Sequence, residues 1–399
     1  MLIGIVGKPN VGKSTFFKAL TFQDVEIANY PFTTLKPNEG VAYVRVKEVS
    51  YEFGLKPNPK YGFVKGNYRF VPVKVMDVPG LVPGAHEGRG LGNKFLDDLR
   101  KANVLIHIVD IVGSVDEEGR YVGPGNYDPI RDIKWLEEEI DYWFYSIIKR
   151  NIEKEIRSMR SEKKDIIKGL AEILSGLDIK LDHIDKAFRD IGIGNEDYDA
   201  LEDQEILFKL SSRIREVSKP IVIAANRIDI DIDVAKKNID RIKREYPNKM
   251  VVPTSGYAEV LLKKLDFEGK IEYVYGDGDF KIVGELDEKE KIALEFIREK
   301  ILKDFGSTGV QKAIDSAVFD VLGYIAVFPV ATDNLTDSKG NVLPDCFLLP
   351  KGSKVIDLAN EIHTELAKNF VRAIDIRSKK FVGRDHELRN LDIIRIVSQ

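Results

Sequence analysis

One cysteine, Cys346, stands in 399 residues, which leaves it no partner for an internal disulfide and no second thiolate for a zinc site. A reducing compartment is the expectation. Long apolar runs are missing too. The most apolar stretches, Val104–Val112 and Ile221–Ala225, fall well short of the ~20 residues a membrane helix needs. Charge of one sign is not in excess: 61 basic against 65 acidic residues give a net −4, so composition by itself points to no nucleic-acid partner. Met1–Val6 is apolar, but neither a basic leader nor a cleavage-like site follows. No secretion signal is read, and a cytoplasmic protein without a membrane segment is expected. His183, His363 and His386 share no metal-like spacing. His107, inside an apolar run, reads as a satisfied core residue.

What is present is a chain long enough for two or three domains, with 43% hydrophobic residues as in globular proteins. Leu2–Val6, Gly7–Lys13 and Ser14–Leu20 read as strand, glycine loop and helix. Apolar runs at Tyr68–Met76, Val104–Ile111, Ile221–Ala225 and around Met250–Pro253, separated by helix-forming segments, predict an α/β domain with a mostly parallel sheet. Ligands of such sheets bind at the carboxyl ends of the strands.

Between Pro129 and Val217 the pattern turns helical: Ile130, Ile133, Leu136, Ile140 and Phe144, then Ile166, Ile167, Leu170 and Leu174, recur at helical spacing. Trp135 and Trp143 flank this stripe and are expected to anchor a helical insertion on the α/β domain. Lys149, Arg150, Lys154, Arg157, Arg160, Lys163, Lys164 and Lys168 make either a positive contact face or a solvated helix face. Amphipathic helices follow at Glu285–Ile301 and Val310–Val321. The last ~80 residues form a separate α+β pattern, with strands near Tyr324–Pro329 and Cys346–Leu349 and a helix at Val355–Phe370. The expected division is 1–128 and 216–322 for the α/β domain with its connecting helices, 129–215 for the insertion, and 323–399 for the terminal domain.

The first loop, Gly7-Lys8-Pro9-Asn10-Val11-Gly12-Lys13-Ser14, fits G-x-x-x-x-G-K-[ST], the Walker A pattern. Its glycines let main-chain N–H groups point at phosphates, and the following helix, through Thr15, adds its positive end. Lys13 supplies a mobile charge and the Ser14 hydroxyl a Mg²⁺ ligand. Asp77-Val78-Pro79-Gly80 ends an apolar run. It offers Asp77 to the Mg²⁺ and the Gly80 N–H to the γ-phosphate. Asn226-Arg227-Ile228-Asp229 matches [NT]-[KRQ]-x-D: Asp229 would accept the paired hydrogen bonds that guanine donates and adenine does not, and Arg227 would lie over the base. The alternative for Asp229 is a plain helix cap. Thr254-Ser255-Gly256 has the form of the last guanine loop. In Asn29-Tyr30-Pro31-Phe32-Thr33-Thr34, a threonine would reach Mg²⁺ and the γ-phosphate: Thr34, with Thr33 as the alternative.

At these residues the chain resembles the Obg and YchF branch of P-loop GTPases. Tyr30-Pro31-Phe32-Thr33-Thr34-Leu35-Lys36-Pro37-Asn38-Glu39-Gly40 is similar to that branch's switch I, and Asp77–Val82 with the glycine-rich Gly84–Leu96 to its switch II. Leu349-Pro350-Lys351-Gly352-Ser353, Asp357-Leu358-Ala359 and Ile362-His363 resemble a TGS domain, a β-grasp module. YchF proteins typically carry Asn-x-x-Glu and tolerate ATP, whereas Asp229 argues for GTP, so the resemblance is to an archaeal-type, YchF-related protein of guanine specificity. Leu81 stands where many GTPases keep a water-orienting glutamine. The resemblance implies that another group, a bound K⁺ or a partner completes the site, with Asn10 a candidate K⁺ ligand or a loop stabiliser, and His86 either a group that positions water or a surface histidine of the glycine-rich loop.

The expected activity is Mg²⁺-dependent hydrolysis of GTP to GDP and phosphate in a molecular switch. Its basal rate is expected at or below ~10⁻² s⁻¹. The catalytic set is Lys13, Thr34 and Gly80. The resemblance and Arg377-Ser378-Lys379-Lys380 suggest a ribosome or RNA partner, contacted through the terminal domain and the basic insertion. The alternatives are a nucleotide-binding module with little turnover, an ATPase as in YchF proteins, and a small-molecule kinase, against which Asn226 and Asp229 speak.

Overall fold

The computed structural model describes residues 1–22, 35–36, 38–79 and 98–398. Seven strands form the main sheet: β1 (Leu2–Val6), β2 (Glu39–Lys47), β3 (Phe63–Lys65), β4 (Tyr68–Asp77), β5 (Val104–Asp110), β6 (Ile221–Asn226) and β7 (Met250–Pro253). Their order is β2-β4-β1-β5-β6-β7, with β3 also on β4. From β4 to β7 every pairing is parallel. Both faces are therefore covered, and every residue of β5 is buried. The edge beyond β4 is antiparallel. Neither β2 nor β3 stands out in the sequence: the apolar run of β2, Val41–Val44, is only four residues long between Gly40 and Arg45, and its pairing with β4 supplies the order.

The long helix Pro129–Glu162 starts where Asp128 accepts the Ile130 N–H at 3.1 Å, with proline at the first helical position. Four shorter helices follow: Ile166–Leu174, Leu181–Ile191, Tyr198–Glu202 and Gln204–Ser218. They share one core with the sheet, in which Leu136, Ile140, Trp143 and Phe144 meet Val6, Met76, Ala102 and Leu105. Trp143 is buried in that seam, with Trp135 half-buried beside it. Part of the basic face is neutralised within the insertion, Arg160 by Asp199 and Glu202 and Lys164 by Glu172. Arg150, Lys154 and Arg157 are exposed.

A small hairpin, β8 (Ile271–Glu272) with β9 (Lys281–Ile282), leads to a helix from Glu288 that continues in wider turns through Ile297–Leu302. The next helix begins at Val310 and runs through Ser316–Val321. Two of its side chains, four residues apart, grip the outer edge of β2: Gln311 Nε2 donates to the Tyr43 carbonyl (2.8 Å), and the Asp315 carboxylate accepts the Arg45 N–H (2.8 Å). Burial lifts the Asp315 carboxyl to about 7.

The terminal domain has five strands, β10 (Tyr324–Val330), β11 (Phe347–Pro350), β12 (Phe370–Asp375), β13 (Lys380–Val382) and β14 (Ile393–Ser398), in the order β11-β10-β14-β12-β13. The helix expected over Val355–Phe370 stops at Ile362. His363 is extended there, its ring nitrogen accepts the Glu365 N–H (3.2 Å) to start a second short helix, and Phe370 opens β12. Ala326, Phe328 and Ile393 pack into the same core as Val44, Val71 and Val73 of the main sheet. A buried pair crosses behind this seam: Arg69 Nε donates to Glu48 (2.7 Å), Arg69 Nη1 donates to the Leu343 carbonyl (2.7 Å), and the guanidinium faces the Phe328 ring. Cys346 lies at the same seam, and desolvation pushes its thiol up to about 12.

Candidate functional site

The glycine loop leaves β1 for the helix Lys13–Thr21, and two of its glycines are required by contact. A Cβ on Gly7 would meet the Ile108 carbonyl at 2.7 Å, and one on Gly12, at φ +88°, would meet Asn226 Nδ2 at 2.6 Å. A cleft of about 660 Å³ opens in front of the loop. Pro9, Asn10, Gly12, Lys13, Ser14 and Thr15 line one side, and Val115, Gly119, Tyr121 and Arg227 the other.

The two lysines of the loop go opposite ways. Lys13 faces the cleft and pairs with Asp77, at the end of β4 beside the end of β1. Lys8, expected at the nucleotide, sends its ammonium inward. It sits 2.8 Å from Asp132 on the insertion helix, donates to the Val115 carbonyl (2.9 Å) and lies 3.8 Å from the Tyr127 ring centroid. Any nucleotide contact of Lys8 is thus left to its main chain. Tyr127 also donates its hydroxyl to Asp132 (2.9 Å). Burial lifts the Asp132 carboxyl to about 6 although Lys8 pulls it down, and raises the Tyr127 phenol.

Val11 contributes a buried side chain and a carbonyl that accepts from Asn226 Nδ2 (3.0 Å). Asn10, at φ +62°, donates its amide to the Gly119 carbonyl (2.9 Å). Asn226 is buried, and its oxygen accepts from the Thr254 hydroxyl and the Gly256 N–H, both at 3.2 Å. It ties three segments of the site together. The N–H groups of Thr254 and Ser255 go to the Ala225 and Thr308 carbonyls (2.8 and 2.9 Å), and the Ser255 hydroxyl caps the next helix. All three residues of this segment are buried.

Arg227 lines the cleft in a left-handed conformation (φ +70°), its guanidinium donating to the Ser114 hydroxyl (3.1 Å), 3.5 Å from Asp110. Asp110 in turn accepts from the Ser114 N–H and hydroxyl (2.8 and 2.7 Å). Asp229 is not the cap of the helix Ile232–Glu245. Asp231 fills that role, accepting the Val234 N–H at 3.0 Å. The half-buried Asp229 carboxylate has no partner among the described residues.

His107 is in the core, but the expectation of a satisfied histidine is corrected: its Nε2 has no hydrogen-bond partner among the described residues, and burial lowers the ring to about 3, so it is neutral. Thr33, Thr34, Gly80, Leu81 and His86 lie outside the described residues.

Sequence reasoning missed the segment 113–128, whose tip is closed by the Val115–Tyr121 bridge. It is stapled to the glycine loop by Lys8 at Val115 and Tyr127 and by Asn10 at Gly119. Its signal was four glycines, at 113, 119, 123 and 125, in front of Asp128-Pro129.

A GTP-binding protein of Methanocaldococcus jannaschii is 47% identical over 100% of this chain and 99% of its own length. The chain belongs to the Obg-like, YchF-related family of GTP-binding proteins. Family models agree along this Obg-like chain: residues 2–143 match a 50S ribosome-binding GTPase, 224–332 the G4 motif-containing domain of Obg-like GTPases of the YGR210-like type, and 335–398 a TGS domain. The crystal structure of a GTP-binding protein from Pyrococcus horikoshii superposes with a TM-score of 0.80 at 38% identity, covering 100% of both chains. The ribosome-binding ATPase YchF of Mycoplasma pneumoniae is 27% identical over 92% of this chain and 88% of its own. Within the described residues of this Obg-like protein, no helix is long and apolar enough to cross a membrane.

Proposed function

We propose that this chain binds GTP and hydrolyses it to GDP and phosphate with Mg²⁺, as a slow cytoplasmic switch linked to the ribosome. The observation that carries the guanine reading is Asp229: half-buried, without a partner among the described residues, and relieved of capping by Asp231. A carboxylate in that condition favours a base that offers two N–H donors. The alternative, ATP hydrolysis, draws on the YchF ATPase relative, and adenine offers no such donor pair to Asp229.

Ser14 and Asp77 fit Mg²⁺ chemically, since both are hard oxygen donors flanking Lys13, whose ammonium already reaches Asp77. Thr34 (or Thr33), phosphate oxygens and water would complete the ion's shell. The ion would neutralise charge on the phosphates. Lys13 and the loop N–H groups would stabilise the γ-phosphoryl, Thr34 (or Thr33) and Gly80 would register its presence, and the cleft wall at Asn10 is the place for a K⁺. Arg227 would flank the base from its Ser114 and Asp110 supports. Asn226, Thr254, Ser255 and Gly256 would shape the base site from behind.

The switch reading divides the chain at 129, 216 and 323, with the terminal domain and the exposed Arg150, Lys154 and Arg157 of the insertion as the ribosome or RNA contact. Phosphate release with GTP and with ATP, each in K⁺ and in Na⁺ buffer, tests the activity. GTP turnover accelerated by K⁺ is expected. Equal turnover of ATP would remove the guanine assignment.

A further inference from the structure

The β12–β13 hairpin of the terminal domain carries charge of nearly one sign. Residues 370–382 hold Arg372, Arg377, Lys379 and Lys380 against a single acid, Asp375. Asp375 is occupied inside the turn, accepting the Arg377 N–H (3.0 Å) and the Ser378 hydroxyl (2.7 Å). Arg377 is drawn off to Glu52 (3.1 Å). Arg372, Lys379 and Lys380 are exposed and have no ion pair among the described residues.

The same hairpin exposes its largest apolar side chain. Phe381 is 66% exposed and Val371 51%, on strands at and next to the sheet edge. The Arg372 guanidinium lies 4.5 Å from the Phe381 ring centroid, and Ile374 stands opposite Phe381 in the ladder. The hairpin thus presents an aromatic ring beside a planar cation, with two unpaired lysines at its turn.

We propose that this face docks single-stranded RNA, with an unstacked base on the Phe381–Arg372 platform and phosphates along Lys379 and Lys380. The proposal rests on the RNA or ribosome reading above and names the part of the chain that makes the contact. An apolar protein surface would leave three cations without counter-charges. A duplex keeps its bases stacked and offers backbone and groove edges instead. Flat aromatic rings within a positive surface suit unpaired bases of any sequence.

The test is fluorescence anisotropy of a labelled 12-nucleotide oligouridylate with the full chain, at 50 and 200 mM salt. Phe381→Ala should weaken binding about tenfold, with Phe381→Trp retaining it. Lys380→Gln should weaken it and reduce the salt slope by about 0.7. An RNA duplex of equal length should not displace the oligonucleotide. Unchanged affinity in Phe381→Ala, or equal competition by the duplex, overturns the platform. Ribosome co-sedimentation of the same proteins separates the two readings. If wild type and Phe381→Ala pellet alike and neither binds oligouridylate, the platform falls and the ribosome reading stands. If wild type does not pellet and binds no oligonucleotide, both fall.

Discussion

Lys8 and Lys13 stand five positions apart on one loop, and each meets an aspartate, yet the two pairs are built for different ends. Lys8 and Asp132 are 2% and 4% exposed; Lys13 and Asp77 are 13% and 28% exposed. The first pair is sealed between the loop, the 113–128 segment and the insertion helix. The second lies open to the cleft, where a phosphate and a cation would take the two partners apart. A half-open pair contributes little to stability, whereas a sealed one leaves a stranded charge when either partner is removed. The contrast separates charge that holds the site from charge that acts in it.

The largest effect should come from the open pair. Lys13→Ala should weaken nucleotide binding at least ~100-fold by calorimetry, with loss of a charge-assisted phosphate contact, and leave the melting temperature within about two degrees. A large drop in melting temperature would erase the contrast. Lys8→Met should do the reverse: a loss of about 3 kcal/mol in unfolding free energy with a much smaller change in affinity, read from denaturant melts and titrations of one preparation.

Asp229→Asn should reduce the preference for GTP over ATP by about 100-fold without lowering stability, because Asp231 holds the cap. An unchanged preference would place base recognition elsewhere.

The sealed pair should also show a pH dependence. Asp132 titrates near 6 when folded, above the ordinary value of 3.8, so between those values the native state binds more protons than the unfolded one. Stability from this residue is therefore greatest below about pH 4 and falls as pH rises to about 6, by ~3 kcal/mol at most. Asp132→Asn should lack that decline. Parallel pH profiles of the two proteins would refute the sign.

The loop, the parallel strands and the site's place at their carboxyl ends were legible because each follows from local pattern: apolar runs, breakers and a fixed motif. Roles that depend on who meets whom were not. Asn226 belongs to a guanine signature, yet its amide is engaged by Val11, Thr254 and Gly256, and only the folded chain brings those segments together. Lys8 looks like any exposed loop lysine until Asp132, 124 residues later, closes over it. The 113–128 segment escaped notice because its order comes from contacts with the glycine loop rather than from periodicity. β2 escaped for the same reason, since its alignment is dictated by β4.

The grip on β2 has one further consequence. An outermost strand normally offers a row of unused main-chain groups to any neighbouring chain. Here Gln311 and Asp315 stand where the next strand's amide and carbonyl would be, at Tyr43 and Arg45 respectively. At these two positions side chains occupy the groups a neighbouring strand would pair with, which blunts the middle of the edge as a template for fusing crowded copies into fibrous aggregates.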